Sequence, residues 1–257
     1  MRGTQPQIDL MVQQLVSESI VYPESDGLPL ADNTTQFKLI TTIHGGLDAL
    51  LSDTFVAADL LWYPVEGEPT TSAAPDVMVA FGRPKGKRRS YKQWLEDDVA
   101  PQVVFEIAST SNSLKELEDK KFKFYREHGV EEYYLFDPER QTLKGWLRNV
   151  DRLDADRSDE GSLDEGSLDA DSLRPIAEMN GWVSPRLKVR FEIEDGELQL
   201  YRPDGRRFVT YAESEARASR AQEIAESERI RADRAETQAA IFAQRLRELG
   251  VNPEELL

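Results

Sequence analysis

The chain has 257 residues, of which 39% are hydrophobic and 31% are charged, and its formal net charge is −16. Because there is no cysteine, disulfides, thiolate metal ligands and cysteine nucleophiles are excluded, and two histidines are few for a zinc site or a histidine-dependent triad. The negative charge disfavours non-specific binding to nucleic acid, which depends on lysines and arginines that neutralise phosphates.

We expect one domain at residues 1–210 and a helical appendage at residues 211–257. Within the domain, residues 151–174 form an acidic insert in which a Ser-Leu pair recurs every five residues. This insert is too acidic and too poor in bulky apolar residues to build a core, so we interpret it as a flexible loop. No apolar run approaches the roughly 18 residues of a membrane span, so we expect a cytoplasmic protein that does not bind membranes.

The order of the predicted elements indicates an α/β or α+β sheet. Helices are predicted at residues 37–50, 90–95 and 113–128. Asp32 or Asn33 can cap the first of them, since both side chains accept a hydrogen bond from a free helix N–H. The predicted strands, each rich in apolar or aromatic residues, are residues 55–63, 75–81, 102–109, 130–138, 141–148, 187–193 and 198–201. The fourth and fifth strands are expected to pair as a hairpin.

The appendage carries a heptad pattern. Positions three and four apart from Ala218 to Leu249 hold alanines or larger apolar residues, apart from Glu228, which predicts a coiled-coil helix. Alanine buries little area, so this seam depends on the larger side chains near its end, such as Phe242 and Leu246. We expect a homodimer or another homo-oligomer through this helix, and a single solvated helix is the alternative.

Two carboxylates lie on the strands at the centre of the chain. Asp76 follows a proline and Glu106 lies inside an apolar run, and both positions are costly for an acid whose charge is not compensated. Oxygen ligands on adjacent strands suit a hard cation such as Mg²⁺ or Mn²⁺, which activates water and stabilises charge on a phosphate. A lysine from the following helix would complete such a site, and the candidates are Lys120, Lys121 and Lys123.

Each acid also has a simpler interpretation. Asp76 can cap a turn at the start of its strand, and Glu106 can face solvent on an edge strand. Taken singly, these interpretations are favoured over a catalytic role. Taken together, and with a helix that carries lysines next in sequence, the residues favour a metal site.

The motifs resemble those of the Uma-two family, whose members are proposed to be endonucleases of the PD-(D/E)xK restriction-endonuclease-like superfamily. The residues that carry the resemblance are PDVMV at 75–79, VFEIAS at 104–109, Lys121 four residues before Tyr125, and GVEEYY at 129–134. The resemblance implies a restriction-endonuclease-like core with a central mixed sheet flanked by helices. The charged C-terminal helix is similar to the extension that many cyanobacterial members carry.

The resemblance also implies roles for individual residues. Asp76 and Glu106 would bind the metal together with the backbone carbonyl of Ile107, and Asp32 would be an additional acid from the first helix. Lys121 would orient the attacking water and stabilise the developing negative charge.

One position departs from the superfamily pattern. The superfamily lysine usually stands two residues after the glutamate, where this chain has Ala108. The resemblance therefore implies that Lys121, on the following helix, replaces it.

The leading function is that of a magnesium-dependent endonuclease that hydrolyses DNA phosphodiester bonds. A basic loop would contact the DNA phosphates through Lys85, Lys87, Arg88 and Arg89. Judged by itself, this loop is typical of a solvated turn. The alternative function is a catalytically idle nuclease-like domain that acts as an oligomerising protein-interaction module.

Overall fold

A computed structural model of the chain describes residues 20–109, 117–148 and 172–250. The chain divides into two units, of which the first ends at Phe208 and the second begins at Val209. The strands of the described residues all belong to the first unit, and the second unit contains one long helix.

The first unit is built on a mixed sheet of six strands in the order β1-β3-β5-β6-β7-β8. The strands, numbered along the chain, are β1 (Phe55–Ala57), β2 (Trp62–Tyr63), β3 (Val77–Ala80), β4 (Tyr91–Lys92), β5 (Val103–Ile107), β6 (Glu132–Asp137), β7 (Thr142–Arg148), β8 (Leu173–Pro175), β9 (Arg190–Glu194) and β10 (Glu197–Tyr201). In the six-stranded sheet, β5 and β6 are parallel and every other neighbouring pair is antiparallel. The prediction of a mixed sheet and of the β6–β7 hairpin is confirmed.

Helices cover both faces of the sheet. Helix α1 (Thr34–Leu50) packs on one face, and Asn33 is its N-cap because the Asn33 side chain accepts from the backbone of Gln36. A π-helical turn (Leu117–Lys121) and helix α2 (Phe122–Glu127) pack on the other face. Side chains of a strand alternate between the two faces. Because both faces are covered, β3 and β5 are buried at every position.

Three elements differ from the sequence prediction. The strand predicted at residues 55–63 is divided into β1 and β2, because Asp59 has a left-handed φ of 50° that interrupts it. The helix predicted at residues 90–95 is instead β4, paired with β2, followed by a single 3₁₀ turn (Gln93–Leu95). Tertiary pairing of the fully buried Tyr91 has overridden the local helical preference here.

The third difference is the end of the acidic insert. Leu173 is 4% exposed and pairs with Arg148 at the edge of the main sheet. The last residues of the predicted insert therefore belong to β8 rather than to a flexible loop. The remainder of the insert, residues 151–171, lies outside the described residues.

The second unit is helix α3 (Tyr211–Glu248). It begins with a capping box in which the side chain of Thr210 accepts from the backbone N–H of Glu213, while the Glu213 carboxylate accepts from the backbone of Thr210. None of its side chains is buried. The predicted long C-terminal helix is thus confirmed, although residues 251–257 lie outside the described part. Among the described helices, none is both long and apolar enough to cross a membrane.

Candidate active site

The register between β3 and β5 brings the two predicted acids together. Val77 pairs with Phe105 in this antiparallel ladder. Extending the register by one residue places Asp76 opposite Glu106, so both side chains lie on the same face of the sheet. The backbone N–H of Ile107 donates to Oδ2 of Asp76 at 2.6 Å. Asp76 is therefore bonded across to β5, and its side chain does more than cap a local turn.

Glu106 is a buried acid with two long-range partners. It is 1% exposed, and β5 lies between β3 and β6, so the interpretation of Glu106 as a solvent-facing acid on an edge strand is wrong. Nζ of Lys121 lies 2.8 Å from each Glu106 carboxylate oxygen. The Tyr125 hydroxyl donates to Glu106 Oε1 at 2.5 Å. Lys121 and Tyr125 are four residues apart, on the same side of the helical segment above the sheet.

Lys121 is the lysine that reaches the acids. The neighbouring Lys123 is 66% exposed and forms an ion pair with Glu127 on its own helix. Burial lowers the pKa of Lys121, but the adjacent carboxylates of Glu106 and Asp76 outweigh this effect and raise it above the ordinary value. The Lys121 ammonium is consequently charged at neutral pH.

The charge of Asp76 is less well compensated. Burial, followed by the neighbouring Glu106 carboxylate, raises the pKa of Asp76 from 3.8 to about 8, although Lys121 and a hydrogen bond from Gln36 act in the opposite direction. In the metal-free protein Asp76 therefore carries a proton near neutral pH. A cation that bound here would have to displace this proton.

The oxygen donors at this position fit a hard divalent cation. The carboxylates of Asp76 and Glu106 and the backbone carbonyl of Ile107 are the kind of ligand that Mg²⁺ and Mn²⁺ prefer. Within the described residues, no group of three or more histidines, cysteines, aspartates or glutamates could hold a metal ion. A site with two carboxylates leaves positions for water, which is usual for Mg²⁺.

Asp32 lies beside the site but has other contacts. Its carboxylate accepts a hydrogen bond from the Ser109 hydroxyl just after β5. Its backbone N–H donates to Oε1 of Gln36 at 2.8 Å. The role of Asp32 as a metal ligand stays a prediction.

Most residues of the predicted basic loop form ion pairs within the protein. The loop follows β3 at the end opposite to Asp76. With N–O distances of 2.7, 2.6 and 2.6 Å, the pairs are Lys85 with Asp48, Arg88 with Glu96, and Arg89 with Glu24. Lys87 is exposed. Contact between this loop and DNA phosphates stays a prediction.

Three residues near the acids had no role assigned from the sequence. Gln36 is 3% exposed and donates from Nε2 to the carbonyl of Ile107 at 3.1 Å. Tyr125 was noted only as a motif position. Asp59 follows β1, and its backbone N–H donates to the carbonyl of Pro75 at 3.0 Å. Burial raises the pKa of Asp59, and the nearby Asp26 and Glu106 carboxylates raise it further.

The first unit is thus an α/β domain whose mixed sheet carries paired acids and a helix-borne lysine at its end. The profile of the Uma2 family, described as "Putative restriction endonuclease", matches residues 24–168. This match spans more than half of the 257 residues, and the chain belongs to the Uma2 family. The family predicted from the motifs is thus confirmed.

One similar solved structure is described as "a putative nuclease belonging to DUF820 from Anabaena variabilis". The match has 15% sequence identity and a TM-score of 0.37, and it covers 65% of this chain and 75% of that chain. No curated protein matches the chain.

Proposed function

We propose that the chain is a metal-dependent endonuclease that hydrolyses DNA phosphodiester bonds, with Asp76, Glu106 and Lys121 as catalytic residues. One observation carries this proposal: Nζ of Lys121 lies 2.8 Å from both carboxylate oxygens of a buried glutamate. Asp76 lies opposite that glutamate in the strand register. Membership of the Uma2 family supports the class of reaction.

Each residue has a distinct part in the proposed reaction. Asp76, Glu106 and the Ile107 carbonyl would hold Mg²⁺ or Mn²⁺, which when bound makes water more acidic and neutralises charge on a phosphate oxygen. Asp32 is proposed as an additional acid, which would have to exchange its contact with Ser109 for the cation. The Lys121 ammonium donates hydrogen bonds, so it can orient the attacking water and stabilise charge that develops on the phosphate. Asp76 must lose its proton before it can act as a ligand.

The basic loop defined by Lys85, Lys87, Arg88 and Arg89 is the proposed contact with the DNA backbone. Its ion pairs would be exchanged for pairs with phosphates, so the exchange gives less net affinity than free cations would give. The chain's net charge of −16 also reduces the affinity for DNA, because it repels the phosphates. We therefore expect DNA binding that is weak and depends strongly on salt.

Nicking of supercoiled plasmid in the presence of Mg²⁺ tests the catalytic proposal. The wild type is expected to nick, whereas Asp76→Asn, Glu106→Gln and Lys121→Met should lose activity. Lys123→Met is the matched control, because Lys123 lies two residues further along the same helical segment and forms an ion pair with Glu127. If no Mg²⁺-dependent cleavage occurs on DNA or RNA, or if the three variants cleave as fast as the wild type, the proposal is wrong.

The alternative, an idle nuclease-like module that oligomerises, is favoured by helix α3. This helix of 38 residues has no buried side chain, and its large apolar residues Ile224, Ile241 and Phe242 are 60%, 54% and 67% exposed. We propose that α3 pairs with the α3 of a second copy as a coiled coil.

The mass of the full chain in solution tests this pairing. Light scattering is expected to give a dimer or larger species for the wild type and a smaller species for Phe242→Glu. Thr237→Glu, a polar position on the same helix, should behave as the wild type. A wild type that is monomeric at every concentration would rule out the oligomer, whereas an oligomer without nuclease activity would favour the idle module.

A further inference from the structure

Gln36 is a buried side chain that contacts two of the proposed metal ligands. It lies in the first turn of α1, is 3% exposed, and has its backbone N–H bonded to the Asn33 side chain at 2.8 Å. Its side chain extends to the end of the sheet where Asp76 and Ile107 lie. Nε2 donates to the Ile107 carbonyl at 3.1 Å, and Gln36 lies close enough to the Asp76 carboxylate to lower its pKa.

The orientation of the Gln36 amide is fixed by its partners. Oε1 accepts from the backbone N–H of Asp32 at 2.8 Å, and an N–H group can only donate. The Ile107 carbonyl can only accept, so the NH₂ group must face it. Exchanging the two ends of the amide would break both bonds. The site therefore holds a neutral donor that is directed at the Ile107 carbonyl oxygen.

We propose that Gln36 is a positioning residue of the metal site, holding the Ile107 carbonyl and the Asp76 carboxylate in the arrangement that receives the cation. This inference rests on the proposed function, since these oxygens act as ligands only if the site binds a metal. Helix α1 supplies Gln36 from one face of the sheet, while Lys121 and Tyr125 reach Glu106 from the other face. The Ile107 carbonyl and the Glu106 carboxylate are thus contacted from different layers of the fold.

The neutrality of Gln36 is part of its role. A glutamate of the same length would have no hydrogen to donate to the Ile107 carbonyl, and it would add a negative charge beside Asp76. Partners that orient metal ligands in this way commonly change metal affinity by about 10- to 100-fold when they are removed. A buried amide that only joined α1 to β5 would have no such effect on the affinity of the folded protein.

Calorimetric titration of the full chain with Mn²⁺ tests the proposal. Gln36→Leu is expected to weaken Mn²⁺ binding by about 10-fold or more. The matched control is Gln102→Leu, because Oε1 of Gln102 accepts from the backbone of Phe81 at 2.7 Å and joins the same two strands at their other end. This control should bind Mn²⁺ as tightly as the wild type.

A second variant tests the donor separately. Gln36→Glu keeps the length of the side chain, and its metal-free form should melt at a lower temperature than the wild type, with Mn²⁺ restoring part of the loss. If Gln36→Leu does not fold, Gln36→Glu is the variant that is compared with the wild type.

The outcomes separate the two proposals. Equal Mn²⁺ affinity of the wild type and folded Gln36→Leu would overturn the positioning role and leave the metal site intact. An unchanged metal-free melting temperature for Gln36→Glu would do the same. A wild type that binds no Mn²⁺ would overturn the metal site, and the role of Gln36 with it.

Discussion

Asp76 should make the metal-free protein less stable as the pH rises, and the asparagine variant should remove this dependence. The pKa of Asp76 is raised to about 8 in the folded chain from an ordinary value of 3.8. The folded state therefore binds a proton that the unfolded state releases between these values. Its contribution to stability is complete below about pH 4 and is lost as the pH rises towards 8.

The expected loss of stability is set by the single proton that Asp76 binds in the folded state. With a folded pKa near 8, raising the pH from 6 to 8 should lower the free energy of unfolding by about 2 kcal/mol through Asp76 alone. The difference in the free energy of unfolding between the wild type and Asp76→Asn separates the contribution of Asp76 from that of all other titrating groups.

Urea denaturation with a chelator present, at pH 6 and at pH 8, measures this difference. Saturating Mn²⁺ supplies an internal control, because the metal holds Asp76 as a carboxylate in the folded state and should remove the loss at high pH. If metal-free wild type and Asp76→Asn lose stability in parallel, then Asp76 does not carry the extra proton and the argument fails.

Three further substitutions test the packing around the acids. Lys121→Met leaves Glu106 buried without its cation and should lower the free energy of unfolding by roughly 3 kcal/mol, and a loss below about 1 kcal/mol in urea would contradict the ion pair. Tyr125→Phe removes a hydrogen bond to the same carboxylate and should cost roughly 2 kcal/mol in that assay without changing the far-ultraviolet circular dichroism. Gly46→Ala should destabilise α1 by about 1–3 kcal/mol because its new Cβ would overlap the Phe208 ring, whereas Gly45→Ala has open space and should stabilise the helix by up to about 1 kcal/mol. Equal melting temperatures for the two alanine variants would refute this distinction.

The local pattern was sufficient for the strands that carry the acids, because each is a short apolar run bounded by turn residues. For the lysine the pattern left three candidates, and Lys121 was selected through the family resemblance. Lys121 lies one turn before the buried Tyr125, on the same side of the helical segment. The register that sets Asp76 opposite Glu106 could not be derived in this way. It comes from pairing between β3 and β5, which are separated by β4 and a basic loop.

Other parts of the site depend on tertiary contacts that leave little trace in the sequence. Gln36 is a polar residue in the first turn of a helix, where polar residues are usually exposed, and only the packing of α1 on the sheet buries it. Asp59 lies in an apolar run that predicts a continuous strand, yet its left-handed conformation ends β1. In both cases the sequence preference was overridden by long-range packing.

The absence of lysine two residues after Glu106 has a structural explanation. Alternation along a strand directs Ala108 to the same face as Glu106, and on this face it packs beneath the segment that carries Lys121 and Tyr125. Ala108 is 8% exposed, so a long cation there would have to displace this helical cover. With a small residue at position 108 and a lysine on the helical segment, Glu106 still has a positive charge beside it. The helical segment can then remain packed on the sheet. The Lys121 ammonium therefore reaches Glu106 from the helical layer rather than from the strand that carries Glu106.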